Sequence, residues 1–146
     1  MRELRHTGWM HNRVRMIVGS FLVKHLLIDW KDGETYFRNC LLDYSEANNV
    51  SGWQWVAGCG ADAAPYFRIF NPILQGEKFD KDGEYVKKWV PELKNAPIKF
   101  IHKPWEMTKE IQESYKILIG IDYPKPIVNH ANARQEALKA FSKIKK

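Results

Sequence analysis

The sequence has no long apolar run. None reaches the roughly 18 residues that a membrane-spanning helix needs, and the opening MRELRHTGWM lacks the apolar centre of a secretory leader. The expectation is a cytoplasmic chain with no membrane partner. Cysteine is scarce: Cys40 and Cys59 are the only two. Without metal-ligand spacing they are expected to be buried, reduced thiols of an intracellular protein. The histidines, His6, His11, His25, His102 and His130, also lack ligand spacing, so no metal is expected. There is no G-x-G-x-x-G fingerprint and no phosphate loop. GCGADAAP, residues 58–65, has the glycines but not the Lys-Ser/Thr that would hold a nucleotide. No catalytic triad can be assembled. Alternating strands, tight glycine hairpins and internal repeats are absent too, which points to an all-α fold.

Aromatic and basic residues are abundant. Aromatics make up 13% of the chain, with six tryptophans, and the net charge is +6. Aromatic side chains supply large contact area and suit sites that grip flat ligands. The positive balance points to an anionic partner, nucleic acid first, set beside the plainer reading of a basic soluble protein. Lys87, Lys88, Lys94, Lys99 and Lys103 read as a scattered, solvated face. At 146 residues, 45% of them hydrophobic, the chain holds one domain at most.

Residues 10–27 are apolar on nearly every face and predict a buried helix, with Gly19 marking close packing or a nearby ligand. A second helix is expected over 32–43. Residues 44–60, rich in Asn, Ser and Gly, read as loop or short helical turns. Pro65 and Pro72 divide the next stretch into short pieces. Helices are expected over 84–93, 106–119 and 132–145, the last ending in KIKK, which suits the negative pole of a helix dipole. Between them, DYPKPIVNH reads as extended. The fold class is all-α, with short and medium helices joined by long irregular connections.

Several side chains stand out within this frame. If the first helix reaches back to Trp9, then Trp9, Asn12, Arg13 and Met16 share one face. That stripe suits a polar, flat ligand, or else it is a helix edge at the surface. Arg15 lies off the stripe and needs an acid partner if buried; Asp43 is the candidate, and a solvent-facing Arg15 is the alternative. In SGWQWVAG, Trp53 and Trp55 stand two positions apart. On a strand they point to opposite sides, and on a helix they sit about 200° apart. Either way, one can face inward while the other faces something else.

TGWMHNRVRM, LLIDW, ANN followed by GWQW, and DAAPYFRIFNPILQGEKFD with KWVPEL after it stand in one order with close spacing. Together they resemble the flavin-binding helical domain of the DNA photolyase and cryptochrome family. The match looks closest to bacterial-type cyclobutane pyrimidine dimer photolyases. It covers nearly the whole chain and is weakest over 94–121. The resemblance implies FAD as cofactor and UV-damaged DNA as partner, with light-driven electron transfer splitting a flipped-out dimer. It implies an ion pair of Arg15 and Asp43 beside the isoalloxazine, Asn49 facing flavin N5, and Trp9 lining the pocket. Ser45 stands where the bacterial pattern usually has an aspartate. Trp53 and Trp30 match the inner members of an electron-conducting tryptophan chain, and Trp55 matches the tryptophan that packs on the dimer. Asn12, Arg13 and Met16 match contacts to DNA or the flipped dimer, and Gln75 and Lys78 match contacts near its phosphates. The chain is expected to be the C-terminal portion of that domain. The antenna domain with its chromophore site and the first part of the helical domain are expected to lie outside it.

Overall fold

The structure, a computed structural model, describes residues 1–144. Eight α-helices are found among the described residues, and the only β feature is an isolated bridge between Ile119 and Tyr123. The chain divides into two compact units, Met1–Phe70 with Val128–Lys146, and Asn71–Ile127.

In the first unit, helix α1 (Arg2–Thr7) stops at Gly8, whose φ of 68° is left-handed and whose N–H bonds the Leu4 carbonyl at 2.8 Å. A Cβ at Gly8 would run into Leu42, so glycine serves both the turn and the packing. Helix α2 (Asn12–Ser20) starts where His11 Nδ1 accepts the Arg13 N–H at 3.1 Å. The helix expected over 10–27 is therefore shorter at both ends. Trp9 lies outside it, so the stripe of Trp9, Asn12, Arg13 and Met16 is not continuous. After Ser20 the chain widens into a π-turn, Phe21–His25, closed by Leu26 N–H on the Phe21 carbonyl at 3.1 Å. The wider turn carries Val23, Lys24 and His25 all into the interior.

Asp29 caps helix α3 (Trp30–Cys40) through the Lys31 N–H at 3.0 Å. This helix starts two residues before the expected range, and it ends as Leu41 turns extended. Helix α4 (Glu46–Ala57), a continuous helix, corrects the loop or short helical turns expected over 44–60. Its Asn, Ser and Gly residues are poor helix formers, but Asn49, Trp53, Val56 and Ala57 follow i, i+4, i+7, i+8 spacing and are all buried. Burial of that face outweighs the local preference. Helix α8 (His130–Ser142) is capped by Asn129 and packs on the π-turn. It begins two residues earlier than expected and ends at Ser142, while Lys145 lies outside the described residues. The core joins Leu4, Met10, Val23, Phe37, Leu41, Trp53 and Ala57. Cys40 is half-buried and Cys59 is exposed, which corrects the expectation of two buried thiols. Cys59 follows the left-handed cap Gly58, where the chain leaves α4 for the surface.

The second unit holds α5 (Pro72–Phe79), α6 (Glu84–Trp89) and α7 (Lys109–Tyr115) around Leu93, Ala96, Ile101, Met107 and Ile117. Asn71 caps α5 at the Ile73 and Leu74 N–H groups, with Pro72 just inside, where no donor is needed. The helix expected over 84–93 breaks before Pro91 into a 3₁₀ turn, because proline has no N–H to continue it. The one expected over 106–119 is confined between the Thr108 cap and Lys116 at φ 54°. His102 packs against Gly76 and its Nε2 lies 2.7 Å from the Asp80 carbonyl, while the Asp80 carboxylate accepts the Tyr85 and Val86 N–H groups. No helix among the described residues is long and apolar enough to cross a membrane.

Candidate functional site

Helices α2, α3 and α4 pack around a cavity of about 400 Å³ in the first unit. Helix α2 presents Asn12, Arg15, Met16 and Gly19 to it, at i, i+3, i+4, i+7 spacing. The end of α3 and the segment after it add Phe37, Leu41, Asp43 and Ser45, and α4 adds Asn48, Asn49, Gly52, Trp53, Trp55 and Val56. A Cβ at Gly52 would meet nothing within 4 Å, so that glycine borders open space. Gly33 has the opposite role: a side chain there would overlap the Trp53 ring.

The two tryptophans part as their spacing requires. Trp53 is 4% exposed and meets Phe37 edge-on at 5.0 Å between ring centroids. Trp55 is half-buried, and the Arg68 guanidinium stands 5.6 Å over its ring. Both border the same cavity, one from the core and the other from nearer the surface.

The polar groups fall in two sets. Arg15 donates through Nε to the Met10 carbonyl at 2.7 Å and through Nη2 to both Asp43 oxygens at 3.0 and 2.8 Å. The ion pair foreseen between these residues is present, and it holds a charged guanidinium beside the cavity. The second set surrounds Glu34, a buried carboxylate. Arg38 reaches it at 3.1 Å, the Tyr44 hydroxyl at 3.3 Å and Asn49 Nδ2 at 3.2 Å. Asn49 Nδ2 also donates to the Glu34 backbone carbonyl at 3.1 Å. With its amide protons engaged, Asn49 has Oδ1 left to address the cavity.

The cavity thus gathers Asn12, Arg15, Met16, Asp43, Ser45, Asn49, Trp53 and Trp55. Trp9, Arg13 and Trp30 are not among its lining residues. Trp9 is exposed and edge-on to His11, Arg13 is half-buried on α2, and Trp30 opens α3 and packs on the core. Gln75 and Lys78 stand on α5 of the second unit. Sequence reasoning passed over Glu34, Asn48, Gly52 and Arg68. The i, i+4 spacing of Glu34 and Arg38 was a visible signal, whereas the link from Glu34 to Asn49 needs the helices to pack first.

A volume near 400 Å³ suits a small-molecule site. Its floor is apolar and aromatic, through Phe37, Leu41, Trp53 and Val56, and its rim carries an ion pair and amides. Trp53 Nε1 is buried and has no protein partner. A flat heteroaromatic ring with polar edges, such as a flavin's, fits that donor and acceptor set.

The sequence profile of the family described as "FAD binding domain of DNA photolyase" matches residues 1–143. The chain is 58% identical over its whole length to the deoxyribodipyrimidine photo-lyase of Agrobacterium fabrum and 53% to that of Escherichia coli, and covers 30% of each. Among solved structures, a bacterial class III photolyase from Agrobacterium tumefaciens superposes with a TM-score of 0.94 at 57% identity, over 98% of this chain and 30% of that one. A cryptochrome from Synechocystis follows at 0.90 and 43% identity, over 95% and 29%. The chain therefore spans about 30% of the length of these relatives, and with nearly every residue matched it belongs to the family of the FAD binding domain of DNA photolyase.

Proposed function

We propose that this chain is the C-terminal portion of the flavin-binding helical domain of a photolyase, acting with the remainder of that protein on cyclobutane pyrimidine dimers in UV-damaged DNA. The observation that carries this reading is the convergence of Arg15, Asp43, Asn49, Trp53 and Trp55 on one cavity. FAD, when bound, supplies light absorption and the electron that splits the dimer. With FAD bound, Arg15 and Asp43 would hold fixed charges beside the flavin ring, and Asn49 would present its neutral side-chain amide to a polar ring edge. Ser45 contributes a neutral hydroxyl where a carboxylate is usual, so Asp43 is the one carboxylate among the lining residues. Trp53 and Trp30 are oxidisable indoles that would serve as the inner members of an electron relay to the flavin. Trp55 would stack on the flipped base with Asn12 and Met16 on the same cavity, Arg13 would contact DNA from outside that cavity, and Gln75 and Lys78 would meet phosphates. Flipping costs a few kcal/mol, less at a damaged step, and stacking returns about 1–3 kcal/mol per base.

Trp9 as a further pocket wall, an antenna site outside these residues and the need for an N-terminal partner segment belong to the same reading. The structural similarity to a cryptochrome supports a second one, a blue-light photoreceptor. Trp55 and Asn49 favour repair, since many cryptochromes carry tyrosine at the first position and plant ones depart at the second. The test is illumination of a dimer-containing oligonucleotide with the flavin-loaded full-length protein. Light-dependent loss of dimers is expected. Salt-sensitive DNA binding without repair would overturn the assignment, and a flavin absorption band without DNA binding would favour the photoreceptor.

A further inference from the structure

His25 is buried in the π-turn after α2, and its Nε2 lies 2.7 Å from Nδ1 of His130, the first residue of α8. The two rings are 5.0 Å apart, and Phe21 stacks on His25 at 5.1 Å. His25 Nδ1 is buried without a partner. Two imidazoles sharing one hydrogen bond need one donor and one acceptor. Neutral rings meet that need, and so does a pair carrying one extra proton. When both are protonated, two N–H groups face each other and the bond is lost. None of the site roles above uses either ring.

We propose that His25 and His130 form a pH-operated latch, holding the C-terminal helix α8 on the π-turn while at least one ring is neutral and releasing it when both are protonated.

Arg134 on α8 disfavours a proton on His130, and His130 disfavours one on His25; Lys24 is the chain neighbour of His25 on the π-turn. From α2, only the Ser20 backbone favours a proton on His25. Helices α3 and α4 also touch the π-turn, yet no carboxylate is among the groups that shift either ring. Burial, followed by the neighbouring cation or ring, lowers both histidines below their ordinary value of 6.5. Because the folded values are depressed, the latch contribution is complete above about pH 6.5 and fades as pH falls through them. A second attachment limits the release: Lys24 Nζ lies 3.4 Å from the centre of the Phe141 ring near the end of α8. The opening is therefore at the start of the helix, around residues 130–137.

Amide hydrogen exchange of the full chain, corrected for intrinsic rates, at about pH 7.5 and about pH 5.5 tests this. Protection over 131–137 is expected to drop roughly tenfold at the lower pH while that of α3 stays constant. In His130→Gln, which keeps a hydrogen-bonding side chain that does not titrate, the drop should be clearly smaller, since only His25 still titrates. Equal protection of wild type at both pH values, or the same loss in His130→Gln, would overturn the latch. Should that variant not fold, nitrogen-detected histidine titration of the wild type decides. Two coupled, depressed transitions support the latch, and two independent ordinary ones overturn it.

Discussion

Two indoles two positions apart on one helix have different surroundings because a helix turns about 200° in two residues. Trp53 is locked over Gly33 and against Phe37, whereas Trp55 stays half-exposed beneath Arg68. In the intact protein, Trp55→Ala is expected to lower the preference for dimer-containing over undamaged DNA by about 1–3 kcal/mol, read from paired dissociation constants. An unchanged preference would remove Trp55 from its assigned role. Lys24 gives a second residue-scale prediction. The residue is 1% exposed, and its ammonium donates to the Ala57 and Tyr66 carbonyls at 3.5 and 3.4 Å. Burial lowers its pKa from 10.5 to about 8, against a smaller upward pull from Cys59. Between those values the unfolded chain binds more protons than the folded one, so stability rises with pH across that window. Urea midpoints at about pH 8 and about pH 10 should show the rise in wild type and lose it in Lys24→Met.

Helix ends and glycines set the geometry of the elements. Asn71 accepts two N–H groups at the start of α5, the helix that carries Gln75 and Lys78. Asn71→Ala is expected to cost about 1 kcal/mol, seen as a lower denaturant midpoint. Gly33→Ala belongs to another class. Its methyl would overlap the Trp53 ring, and overpacking of a filled core costs about 1–3 kcal/mol. Flavin retention should fall with it, because displacing Trp53 alters the cavity wall. A Gly33→Ala protein with wild-type stability and flavin content would show that α3 and α4 have slack between them. Helix α4 also shows where local reading fails. Asn48, Asn49, Ser51 and Gly52 each favour a loop, and the element is helical because its other face meets α2 and α3.

For the molecule as a whole, the +6 charge fits a polyanionic partner. Binding to damaged DNA should weaken with salt, with a log–log slope of about −0.9 for each phosphate neutralised. Lys78→Ala should reduce that slope by roughly one and leave lesion preference in place. A salt slope unaffected by Lys78→Ala would remove that residue from the phosphate contacts.

Sequence by itself determined the all-α class, the divergence of Trp53 and Trp55, and the family. These follow from helical spacing and runs of specific residues, neither of which needs the chain to be folded first; that Arg15 meets Asp43 rather than solvent was decided by packing. Tertiary structure alone decided that 46–57 is helical, that α2 gives way to a π-turn, and that Glu34 orients Asn49 from 15 residues away. It also brought His25 to His130, 105 positions along the chain. Each of these depends on the burial of one helix face against another, and that energy exists only once the partners are in place.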